Sequence, residues 1–260
     1  MNSEYKLLHT SIRTLFYIGV LGQMAFAVYI FIHFGGTAIK GEWASWTESM
    51  IHGIIEGDPL GNALLLLHIF LAFIITIGGP LQFILWFQKK RRFHKYNGRA
   101  YIMTALTISI FALIMVWNRP ATIGGELGRI ATSINGLLII WFAVMTWVTG
   151  MKKNFEAHRK WAIRTYVVVN GVWFFRIGFG TWLLVTGFSA HGMTQNLTGW
   201  FDRILYFSSY LVPLLICEVY IRVKASDNAL AMKWLSIVLF LLCPLLLAST
   251  YITANIFWLS

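Results

Sequence analysis

Two short stretches hold most of the side chains in this sequence that could do chemistry. HKYNGRAY supplies His94, Arg99 and Tyr101, and HRKWAIRTY supplies His158, Arg164 and Tyr166; each runs straight into a long apolar segment. Two imidazoles, two guanidinia and two phenols at one depth suit an anion such as a lipid phosphate or a propionate, because Arg offers a rigid fork of donors. The same groups could equally bond the ends of neighbouring helices or serve as interfacial anchors. A second set is scattered inside apolar sequence: His68 in LLLLHIFLAF, Gln82 in GGPLQF, Asn135, and Arg176 in WFFRIGFG. A charge in hydrocarbon is costly and marks a paired or functional position. No Asp or Glu stands at the depth of Arg176, so its expected partners are carbonyls, water, a headgroup or an anionic ligand. His68, Gln82, Asn135 and Arg176 form a candidate ligand cavity on the outer side. The plainer reading is hydrogen bonding between helices, each bond worth about 1 kcal/mol.

Other chemistries find less support. No HExxH and no close Cys/His or His/carboxylate cluster occurs in the sequence, so no metal site is assigned. A b-type haem needs two axial imidazoles at one depth, which His94 with His158 or, less well, His33 with His68 could supply; haem or quinone stays open as a cofactor. No catalytic residue is assigned. Cys217 and Cys243 lie within apolar segments and read as packing residues.

The segments that position these groups are transmembrane. The 260 residues are 58% hydrophobic and only 12% charged, and a crossing helix needs roughly 20 apolar residues. Seven spans follow, near 14–34, 62–87, 100–118, 132–151, 161–187, 204–221 and 229–257, filling one integral domain over residues 1–260. They must be helices, since lipid offers the backbone no partners. The expected fold is an all-α polytopic bundle.

The net charge of +11 would suggest nucleic acid in a soluble chain, but its distribution argues against that partner. With the N-terminus cytoplasmic and the C-terminus outside, sixteen of the 21 Lys and Arg residues fall on the inner side, while Lys40, Arg119, Arg129 and Arg203 share the outer side with Glu42, Glu48, Glu56, Asp58, Glu126 and Asp202. The basicity is therefore topological, with membrane lipids as the expected partners. Trp43 and Trp46 suit an interfacial position in the piece over about 35–61. The repeated His-Arg-Tyr pattern allows spans two-three and four-five to be related hairpins with both motifs on the cytoplasmic side.

The ordered set His68, then Gly79-Pro80-Leu81-Gln82-Phe83, then His94 with Gly98-Arg99-x-Tyr101, then His158-Arg159-x-Trp161-x-Ile163-Arg164, then Arg176 resembles the predicted membrane protein family known as domain of unknown function 2306. The resemblance covers about 62–185, spans two to five. It departs from the family pattern in the KYNG after His94 and in Ala162, where Met is usual. Membership implies a bacterial or sometimes fungal multi-pass protein, here expected in a bacterial inner membrane, without an assigned activity. Three readings remain open on the sequence: a protein that binds or moves a small or lipid-like ligand, a haem or quinone redox protein, and a scaffold or assembly subunit without chemistry of its own.

Overall fold

The computed structural model describes residues 3–43, 45–46, 53–119 and 124–258. Helix α1, Ser3–Tyr29, continues through a π-helical turn at Ile30–Gly35 into α2, Gly36–Lys40. There follow α3 (Pro59–Leu81), α4 (Leu85–Lys89), α5 (Arg91–Asn118), α6 (Gly125–Met151), α7 (Phe155–Val169), α8 (Gly171–Val185), α9 (Trp200–Ala225) and α10 (Ala229–Thr253), the last running into a π-helical turn at Ala254–Trp258. No strand occurs among the described residues. Among the described residues six units are long and apolar enough to cross a membrane, and α7 with α8, bent by 55°, counts as a seventh if the bent pair is one span. The outward faces are apolar: Leu21, Leu215 and Leu241 are all exposed, as lipid-facing side chains should be. The all-α polytopic bundle expected from the sequence is what the chain forms.

Local chemistry sets the helix starts. Asp58 caps α3, accepting from the Gly61 amide at 2.9 Å, with Pro59 in the first turn where its missing N–H costs nothing. Asn154 and Asn228 cap α7 and α10 in the same way. Of four buried clusters among the described residues, three bear on the walls of the site described below. One joins α3, α5, α6 and α7 around Ile75, Ala105, Phe142 and Val168. A second joins α1 to α8 through Phe26, Trp173 and Ile177. The third ties one end of α1, α9 and α10 together through Leu8, Tyr220 and Leu239.

Two boundaries differ from the sequence reading for local reasons. The second span stops at Leu81, because Pro80 ends the helix and the chain turns at Gln82, whose amide bonds Gly79 O. GGPLQF is thus a helix end. The fifth span begins at Phe155 and breaks at Asn170, whose side chain donates to Tyr166 O at 2.7 Å and so competes with the helical ladder. Gly171 follows, with Asn135 Nδ2 only 2.9 Å from where a Cβ would sit. Trp46 is buried, packing edge-on to Phe34 and donating to Thr37 Oγ1 at 2.7 Å, while Trp43 is exposed. Glu48 and the rest of 47–52 lie outside the described residues.

Helices α8 and α10 approach closely. A Cβ on Gly180 would stand 2.3 Å from Thr253 Oγ1 and 2.5 Å from the backbone oxygen of Ser249. Backbone cannot yield as a side chain can, so Gly180→Ala is expected to destabilise the protein by about 1–3 kcal/mol, the usual range for overpacking. A lowered thermal midpoint in detergent, with Gly36→Ala in open space as the neutral control, checks this.

Candidate functional site

The inner residues of the two motifs are brought together by glycine. The last turn of α3 places Gly79 between them: Tyr101 of the first motif and Tyr166 of the second each come within about 3 Å of where its Cβ would be, at 3.0 and 3.1 Å. Asn97 strengthens the junction by donating to Gly78 O at 3.0 Å, and Gln82 lies against Gly98. A helix end without side chains is what allows two aromatic rings to close on it from α5 and α7.

Beside this junction a cavity of about 1350 Å³ opens, larger than the roughly 300–1,000 Å³ typical of small-molecule sites. One end is basic, with Arg13 from α1, Lys95 and Arg99 from α5, Lys153 from the α6–α7 turn and Arg159 from α7. His9, His94 and His158 line the same end, and no Asp or Glu belongs to the lining. Arg99 also stands 6.0 Å from the ring centre of Trp147, a second lining residue. His158 is fixed by an Nδ1–H bond to Thr146 O at 2.9 Å, which leaves Nε2 as its remaining polar atom.

Further in, polar groups ring the cavity. Tyr166 donates to Gln23 Oε1 at 2.7 Å, and Gln23 is only 2% exposed. Thr146 and Thr165 share a hydroxyl bond of 2.9 Å. Four lining residues carry buried polar atoms with no protein partner: Gln82 Nε2, His94 Nδ1, Tyr101 OH and Trp173 Nε1. Tyr101 and Trp173 are 7% and 3% exposed. Buried polar groups are otherwise nearly always bonded, so these residues carry hydrogen-bonding capacity beside the cavity that the protein leaves unused. Beyond them the wall turns apolar, with Phe174 and Ile177 of α8, Leu205 and Val212 of α9, and Leu242 and Leu246 of α10.

Tyr166 makes the clearest test of this inner ring. Tyr166→Phe leaves Gln23 buried with an unmet acceptor and is expected to lower stability by about 1–3 kcal/mol. Tyr166→Phe combined with Gln23→Leu removes both partners and is expected to recover most of that loss, as read from thermal midpoints in one detergent.

The sequence candidates divide. His94, Arg99, Tyr101, His158 and Tyr166 all line the cavity, whereas Arg164 does not. Arg164 instead forms a two-point ion pair with Glu218 of α9, with Nη2 to Oε2 at 2.9 Å and Nε to Oε1 the second contact. The four residues grouped as an outer cavity separate. Gln82 belongs to the cavity of the motifs; His68, Asn135 and Arg176 are not among its lining. His68 meets α5 at Ile108, and Asn135 abuts the bend at Gly171. Arg176 is held by neutral groups, 4.9 Å over the Phe26 ring and 3.5 Å from Val172 O. The physical reason is the bend at Asn170, which re-aims α8 relative to a straight span and turns Arg176 to α1. Sequence reasoning missed Arg13, Lys95 and Arg159 as lining residues because positive-inside topology explained each of them already. Gln23 carried a usable signal, an amide within an otherwise apolar span, and Glu218 another, an acid close to a span end with two Arg-bearing motifs on the same side.

The model of a family described as a predicted membrane protein (DUF2306) matches residues 65–216, more than half of the chain. The match takes in both motifs and reaches into α9. No curated protein and no solved structure matches the chain.

Proposed function

The chain belongs to the DUF2306 family of predicted membrane proteins, and for this multi-pass member we propose binding of an anionic amphiphile, a phosphate- or carboxylate-headed molecule with a hydrocarbon tail, in the cavity of the two motifs. The observation that carries the reading is the polarity of that one cavity, five cations and no acid at one end and mainly apolar side chains at the other. Arg99 and Arg159 hold the head. Tyr101, Gln82 and Trp173, whose buried donors have no protein partner, take oxygens at the neck. The tail lies among Ile177, Leu205 and Leu246. The basic end faces the cytoplasm, an assignment that rests on the excess of Lys and Arg in the loops at that end; cysteine labelling that found the 88–99 turn outside would reverse it.

The test is equilibrium binding of dodecyl phosphate to the protein in nanodiscs of uncharged lipid. Saturable one-to-one binding that weakens with salt supports the reading, since mouth charges are screened over about 8 Å at physiological ionic strength. Equal binding of dodecyl maltoside would contradict it. The redox reading has an observation of its own, His94 and His158 lining one cavity. A Soret band in the purified protein that disappears in His94→Ala would replace the amphiphile with a haem.

A further inference from the structure

We infer that the cavity takes its ligand sideways from the bilayer, through a portal between α9 and α10, so that the ligand class is a membrane lipid and not a water-borne anion. This rests on the amphiphile reading above. Val212 and Leu245 are the first observation. Both line the cavity and are 50% and 36% exposed, and each shares a helical stripe with a strongly exposed residue, Val212 with Leu215 and Leu245 with Leu241. A side chain that faces the cavity and the hydrocarbon at once marks a wall no thicker than itself.

The packing of the two helices is the second observation. They are joined by a short turn, and near it Tyr220 of α9 packs with Met232 and Leu235 of α10. Away from that end α10 follows α1 and α8, α9 follows α7 and α8, and the two touch only lightly. Over the rest of their length, which includes the apolar depth of the cavity, each packs mainly on other helices. Each carries a proline there, Pro213 beside Val212 and Pro244 beside Leu245. A helix-interior proline removes one ladder bond and lets the helix bend at that point, so both edges of the opening can give. Val212, Pro213, Ile216, Leu242, Leu245 and Leu246 carry no polar side chain. A phosphate could not cross there alone, but a hydrocarbon chain lying in the bilayer could pass with its head travelling at the basic end.

The experiment compares two ligands in nanodiscs. Dodecyl [32P]phosphate is presented in donor vesicles and its loading rate measured; butyl phosphate is presented in water and its binding followed by 31P NMR. Val212→Trp with Leu245→Trp is expected to slow dodecyl phosphate loading at least tenfold and to leave butyl phosphate unchanged. Val212→Ala with Leu245→Ala, which only trims the rim, is expected to speed loading at least threefold. Unchanged dodecyl phosphate loading in the Ala pair, or equal slowing of both ligands in the Trp pair, overturns the portal while the binding reading stands. A wild-type protein that binds neither ligand overturns the binding reading and the portal with it.

Discussion

Reversing two charges at the cavity mouth, Arg99→Glu with Arg159→Glu, is expected to lower the affinity for dodecyl phosphate at least 100-fold. Both positions are exposed, so the fold does not depend on them and the variant should purify like the parent. A hydrogen bond from a cation to an anionic head is worth about 1.5–3 kcal/mol, and exposure puts each contact at the lower end. Two such losses, about 3 kcal/mol, already amount to roughly 100-fold. Reversal adds repulsion at a mouth that otherwise holds no acid. The loss should shrink at high salt, because the interaction reaches through water. Titration calorimetry at two salt concentrations checks both statements, and an affinity that is unmoved at low salt would remove the mouth from the account.

The second large effect concerns the tail. Each methylene taken from water into the apolar end contributes about 0.8 kcal/mol, so octyl phosphate should bind about 200-fold more tightly than butyl phosphate once the free concentrations are measured. Ser208 of α9 lines the apolar end, and its hydroxyl makes only a 3.5 Å contact to Leu205 O. Ser208→Trp therefore fills the tail region with little loss of existing bonding. It is expected to cut the octyl-to-butyl preference below about tenfold and to leave butyl phosphate affinity near the parent value. A full preference retained in this variant would place the tail elsewhere.

The spans were readable because their cause is local: an uninterrupted apolar run in lipid has to become a helix. The two His-Arg-Tyr motifs were readable as a pair for the same reason, since each is written at the mouth of its own span. What brings their tyrosines to one point is not written in either motif. It depends on Gly79, a residue from a third helix whose only contribution is the side chain it lacks. The separation of His68, Asn135 and Arg176 was illegible on similar grounds. Depth along a span is a matter of counting residues, whereas the direction a side chain faces depends on the bend at Asn170 and on what packs against it. Arg164 shows the limit from the other side, since its likeness to Arg99 in the motif gave no hint that Glu218 of α9 claims it.

The most direct test of the central claim is calorimetric titration of the wild-type protein, in nanodiscs of uncharged lipid, with dodecyl phosphate and with dodecyl trimethylammonium. The two ligands share a tail and differ in the sign of the head. Saturable one-to-one binding of the phosphate, with none of the ammonium, is the result expected of a cavity with a basic mouth and an apolar end. Binding of both with similar affinity, or of neither, would contradict it.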